Sequence, residues 1–137
     1  RKHNLIVPAE HILQWMKEFS ALSDVFRQTG AVHTAALATR EGIKKYFDDI
    51  SRHNALDKTI GWMMLQNEPP EDKLLLLSCR ISRSIIEKAV VAEFPMIVSS
   101  SPPTDQAVQI ACNQHIALAG FVRGDRMNIY HREASFL

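Results

Sequence analysis

Between Asp48 and Gly61 the chain reads D-D-I-S-R-H-N-A-L-D-K-T-I-G, its densest run of side chains able to do chemistry. Arg52 is a permanent cation, His53 a titratable one and Asn54 an amide, with Asp48-Asp49 before them and Asp57-Lys58 after. Ile43, Tyr46, Phe47 and Ile50 lead in as a partly buried strand. Leu56, Ile60, Met63 and Met64 lead out at helical spacing. The triplet therefore falls at a helix mouth, capped by Ser51 or Asn54. Free backbone N–H groups point outwards there, and cationic side chains beside them make an anion site. The plain alternative is a well-capped helix carrying solvated charges.

Three further stretches carry polar groups just after apolar runs. These are Ser78-Cys79-Arg80-Ile81-Ser82, then Ser99-Ser100-Ser101 with Thr104, then Phe121 to Arg126 (Phe121, Val122, Arg123, Gly124, Asp125, Arg126). In an open α/β sheet, ligands collect beyond the carboxyl ends of the strands. Hydroxyls, arginines and helix N-termini gathered on one such rim suit a phosphate-bearing ligand. Taken singly, serines cap helices and arginines are solvated. His33 lies inside the apolar run 31–37, where a buried imidazole with one structural hydrogen bond is the default. Cys79 has Arg80 and a helix start beside it, which would favour a thiolate, whereas Cys112 reads as core on the inner side of its helix.

The elements that must position these groups follow from periodicity and punctuation. A helix is expected over 9–28, with Ile12, Met16, Phe19, Leu22 and Phe26 on one stripe and Thr29-Gly30 as its stop. A hairpin follows, with strands 31–39 and 43–50 about the turn Arg40-Glu41-Gly42. The central helix runs to about Gln66. Leu74 to Leu77 form a strand covered on both faces. A helix over 82–93, with Ser84 and Glu87 at capping-box spacing, precedes a strand over 96–99. Thr104 caps a helix ending near Asn113, and strands over 116–122 and 127–130 close the chain. Strands alternating with helices imply an α/β fold, a three-layer sandwich on a mixed sheet.

All 137 residues fit one domain, with an apolar fraction of 46% and a charged fraction of 23% ordinary for a globular protein. A formal charge of +1 excludes a polyanion-coating role, so no nucleic-acid partner is expected and any anion site is local. No apolar run is long enough to span a bilayer, and no signal peptide opens the chain, so neither membrane nor export is expected. Cys79 and Cys112 form no C-x-x-C pair. That disfavours a zinc ribbon, a dithiol motif or a disulfide framework, and points to the cytoplasm. The start at Arg1 reads as part of a longer product.

Asp49, Ile50, Arg52, His53, Asn54, Ala55, Asp57 and Lys58 match a D-[VI]-G-R-H-N-A-x-D-K signature, with Ser51 in place of Gly. The chain thereby resembles the formate dehydrogenase accessory sulfurtransferases, the FdhD-type proteins. The resemblance continues in Thr29-Gly30-Ala31-Val32-His33 against T-G-G-x-H, and in 78–82 against S-G-R-x-S, with Cys79 for Gly. It extends through Lys88, Ser101-Pro102-Pro103-Thr104, Gly120-Phe121-Val122-Arg123 and Asn128-Ile129-Tyr130. It covers about 9–130 in ordered motifs. A Gly expected at position 79 makes a sulfur-carrying role for Cys79 unexpected.

The resemblance implies that sulfur passes from a cysteine desulfurase to the molybdenum (or tungsten) bis(molybdopterin guanine dinucleotide) cofactor before its insertion into the formate dehydrogenase catalytic subunit. GDP is then the expected mimic. The family's persulfide cysteines lie in a C-x-x-C loop upstream of the matched region, so the likeness is to the C-terminal, cofactor-holding domain. It further implies a cytidine-deaminase-like fold, without the deaminase zinc signature and hence without zinc, and a homodimer. The turn 121–126 would hold the cofactor, with Arg123 and Arg126 as phosphate partners. His33, Arg52, His53, Ser78, Arg80, Ser82 and Ser100 complete the candidate pocket. Two rival functions fit the same residues: a docking module for formate dehydrogenase assembly without chemistry, and a diverged hydrolase using His33, Asp49 and His53.

Overall fold

The computed structural model describes residues 5–28 and 33–133, with side chains except those of 23–28. The expected stop at Thr29-Gly30, the strand start at Ala31-Val32 and the inward face of Phe26 lie outside the described residues. Helix α1 spans Ala9–Gln28, β1 His33–Thr39, β2 Gly42–Asp49 and α2 Arg52–Leu65. A short 3₁₀ turn at Pro70–Asp72 precedes β3 at Leu74–Leu77. Then come α3 (Arg83–Val91), β4 (Met96–Ser99), α4 (Asp105–Asn113), β5 (Ala117–Arg123) and β6 (Arg126–His131).

The six strands form one mixed sheet in the order β2-β1-β3-β4-β5-β6. The β3–β4 and β4–β5 pairs are parallel; β1–β2, β1–β3 and β5–β6 are antiparallel. Leu74 to Leu77 and Met96 to Ser99 are buried throughout, because helices cover both faces of the sheet centre. Alternate residues then sort into two cores. Leu37, Leu75, Leu77, Ile97 and Leu118 face Leu56, Met63, Ile85, Ile86 and Ala107, from α2, α3 and α4. Ala36, Ala38, Leu74, Leu76, Met96 and Val98 face Ile12, Trp15, Met16 and Phe19 of α1. The result is the expected three layers.

Two local expectations are corrected. Ser84 does not open a capping box with Glu87. Ser82 is the N-cap of α3, its Oγ accepting from Ile85 N–H, so Ser84 lies already inside the first turn. Cys112 is not core either. Ala107 and Ala111 turn inwards from α4, and Cys112, about 100° further round the helix, is exposed. Among the described residues, no helix is long and apolar enough to cross a membrane.

Candidate functional site

Strand direction brings the candidate segments to one end of the sheet. β2, β3, β4 and β5 run the same way, so Asp49, Leu77, Ser99 and Arg123 end on a common rim, where α2, α3 and α4 begin. Each helix start is capped by a hydroxyl: Ser51 accepts from Asn54 N–H, Ser82 from Ile85 N–H and Thr104 from Ala107 N–H. His33 joins the rim because β1 runs antiparallel, opposite Asp49 in register.

Ser51, where the resembling signature has Gly, adopts φ −95° and ψ 126°, an extended cap conformation open to any residue. Its side chain supplies a cap that Gly lacks. Asp49 anchors the same corner, accepting from Ser51 N–H at 2.9 Å and pairing with Lys58 at 2.8 Å. Lys58, then Ser51 N–H, hold this carboxyl below its ordinary range. Asp49 thus braces the start of α2 through Ser51, Asn54 and Lys58, and not through either histidine of the hydrolase alternative. Asp57, on the next turn, pairs with Lys88 of α3 at 2.9 and 3.1 Å.

The serine segments are largely occupied by one another. Ser78 Oγ accepts from Thr34 N–H at 2.8 Å, tying β1 to the end of β3. Ser100 and Ser101 hydroxyls donate to Ser78 O at 3.4 and 3.2 Å, and Ser99 Oγ donates to Cys79 O at 2.6 Å. Ser78 and Ser100 are therefore the floor of the rim. Ser82 caps α3, and its Oγ lies 3.1 Å from Ser84 Oγ. Ser84 Oγ in turn lies 3.2 Å from His53 Nε2, a link between α3 and α2 that no local spacing signals.

The β5–β6 turn divides its residues. A bulge between Gly120 and Arg123 turns Phe121 outwards at φ 54°. Arg123 lies 4.5 Å from the Phe121 ring centre and donates to Ser100 O at 2.8 Å, latching the turn onto the serine floor. Val122, half-buried, packs its side chain against the α1-side core. Gly124 has φ 60°, as a tight turn requires, and Asp125 pairs with Lys17 of α1 at 2.7 Å. Gly120 has no room for a side chain: a Cβ there would lie 2.9 Å from Ser101 O.

Four arginines remain on this rim. Arg52, Arg80, Arg123 and Arg126 are exposed, and none forms an ion pair among the described residues. Arg52 acts on three neighbours. With burial as the larger cause, it lowers the affinity of His33 for a proton, and with burial and Lys88 it does so for His53. It also opposes the burial that pushes the Cys79 thiol up to about 11. Cys79 is packed in the core, consistent with the small-residue reading of that position. A cationic, hydroxyl-floored rim over three helix N-termini can hold an anion with several phosphoryl oxygens.

The family model that matches residues 1–137 is that of the FdhD/NarQ family. The sulfur carrier protein FdhD of Halalkalibacterium halodurans is 43% identical over 121 residues, 88% of this chain and 45% of the relative. That of Wolinella succinogenes is 40% identical over 124 residues, 90% of this chain and 43% of the relative. The chain thus spans about half the length of the curated relatives it matches. Among solved structures, a Desulfotalea psychrophila protein described as a formate dehydrogenase accessory protein superposes with a TM-score of 0.88. It is 23% identical, with 98% of this chain and 58% of that one covered, a likeness of fold.

Proposed function

The chain belongs to the FdhD/NarQ family, and from that membership we propose that it is the cofactor-holding part of a formate dehydrogenase accessory protein. Its cargo is molybdenum bis(molybdopterin guanine dinucleotide), held while sulfur from a cysteine desulfurase is transferred to it. The observation that carries this reading is the set of four rim arginines without a carboxylate partner among the described residues. Guanidinium groups are suited to pyrophosphate because their planar fork donates two parallel hydrogen bonds to one phosphoryl group. Backbone N–H groups at the starts of α2, α3 and α4 add partial positive charge on the same side. The exposed Phe121 ring offers a flat face for a base beside those phosphates. No cysteine here is assigned the sulfur. Cys79 is buried, and Cys112 lies near the end of α4 that leads away from the rim.

Calorimetric titration with GDP, with ADP as control, tests the reading. GDP is expected to bind in preference to ADP. Arg123→Ala and Arg126→Ala are each expected to weaken GDP about tenfold or more, the scale of one lost charge-assisted contact. Their circular dichroism should stay unchanged, since both side chains are exposed. Unaltered GDP affinity in the double variant would overturn the site assignment.

A further inference from the structure

His53 stands where hydrogen bonding and charge meet on the rim. Its Nε2 reaches Ser84 Oγ at 3.2 Å, and Ser84 Oγ reaches the capping hydroxyl of Ser82 at 3.1 Å. The charges around it are Arg52 and Asp57 on its own helix and Lys88 on α3, with Lys88 and Asp57 paired to each other. Asp49, at the preceding corner, is matched by Lys58, and His33 on β1 shares the field of Arg52. Arg52 is the one charge near His53 without an ion-pair partner among the described residues.

Burial, then Lys88 and Arg52, lower the proton affinity of the imidazole, and Asp57 opposes them. An anion seated on Arg52 reverses that balance, because it cancels the guanidinium field and adds a negative charge beside the ring. Ser84 can follow the change. A hydroxyl donates to an unprotonated ring nitrogen and accepts from a protonated one, so the same contact holds both states of His53.

We infer that a phosphate-bearing ligand binds this rim together with one proton, taken from solvent onto the unprotonated ring nitrogen of His53, with Ser84 as the positioning residue. The inference rests on the proposed anion-holding role and adds its regulation: holding tightens as pH falls and loosens as it rises. Linkage makes the effect reciprocal, so the bound anion raises the proton affinity of His53 by the factor by which protonation tightens the anion.

Sulfate is the probe, since it is doubly charged and does not itself titrate between about pH 5 and 8, where histidine does. The midpoint of His53 would be read by NMR of the imidazole nitrogens, in sulfate and in chloride at equal ionic strength, with exposed His11 as reference. Sulfate is expected to raise the His53 midpoint by about one pH unit, a tenfold linkage, and to leave His11 in place. Ser84→Ala should lose most of that rise, and Ser84→Thr, which keeps the hydroxyl, should restore it. If sulfate moves the backbone signals of Arg52 and Arg123 but not the His53 midpoint, the proton linkage is wrong and the anion site stands. If sulfate moves neither, both the linkage and the anion-holding reading are overturned.

Discussion

The Cys79 thiol lies in the core between the end of β3 and the start of α3, within the field of Arg52. A cation favours the thiolate and burial disfavours it. Burial is the larger effect, pushing the thiol up to about 11. The residues beside it in sequence suggest activation, because Arg80 and a helix N-terminus are visible there, whereas the packing that decides the matter is not. Cys112 is the opposite case, a residue read as core that the rotation of α4 leaves exposed. Iodoacetamide at pH 8 should therefore alkylate the native chain once, at Cys112, and twice in denaturant, with mass spectrometry locating the sites. Modification of Cys79 at a rate equal to that of Cys112 would show that the core around it opens readily or that its thiol is activated.

Caps decide how the rim is presented, because α2, α3 and α4 each open with a side-chain oxygen on an early N–H. Thr104 was legible from its position ahead of an apolar helical stripe. Ser82 was not, since Ser84 and Glu87 have the same three-residue spacing as a capping box. Local spacing cannot tell which serine leaves helical dihedrals. The chain at Ser82 adopts φ −89° and ψ 172° because the loop is fixed from outside: Ile81 bridges to Pro103 and accepts from Thr104 N–H at 2.9 Å. Ser51 allows a direct test. Ser51→Ala removes the oxygen that accepts from Asn54 N–H and is expected to lower stability by ~1 kcal/mol. Ser51→Gly, which restores the residue of the resembling signature, should cost only a few tenths of a kcal/mol, since a glycine cap leaves the N–H open to water. Denaturant midpoints at constant slope would measure both. Equal losses would mean that the missing hydroxyl, common to both variants, decides and that the open glycine backbone compensates for none of it.

At the scale of the molecule, alternating strands and helices made the parallel run β3-β4-β5 legible, and with it a common rim for three segments. The place of β1 was not legible, because pairing between strands far apart in sequence depends on which apolar faces meet in three dimensions. Its antiparallel insertion between β2 and β3 is what carries His33 to the rim. The folded rim consequently gathers Arg52, His33 and His53, and the burial of the two imidazoles, with the Arg52 charge beside them, sets how stability depends on pH. Both histidines bind protons less readily folded than at their ordinary 6.5, chiefly through burial. Between their folded midpoints and 6.5 the unfolded chain binds more protons than the native one, so stability falls as pH drops through that window. A second decline lies lower. Asp49, through Lys58, and Glu68, through Lys44, are held below their ordinary 3.8 and 4.5, so their contribution is complete above those values and lost as pH falls through the folded midpoints. Urea unfolding from pH 7.5 to 3, in chloride so that no multivalent anion occupies the rim, should therefore show two separate losses of stability. The double variant His33→Gln, His53→Gln should flatten the upper one and leave the lower one intact. If the upper decline persists in that variant, the rim histidines are not its source, and their burial beside Arg52 is too weak an effect to govern the fold.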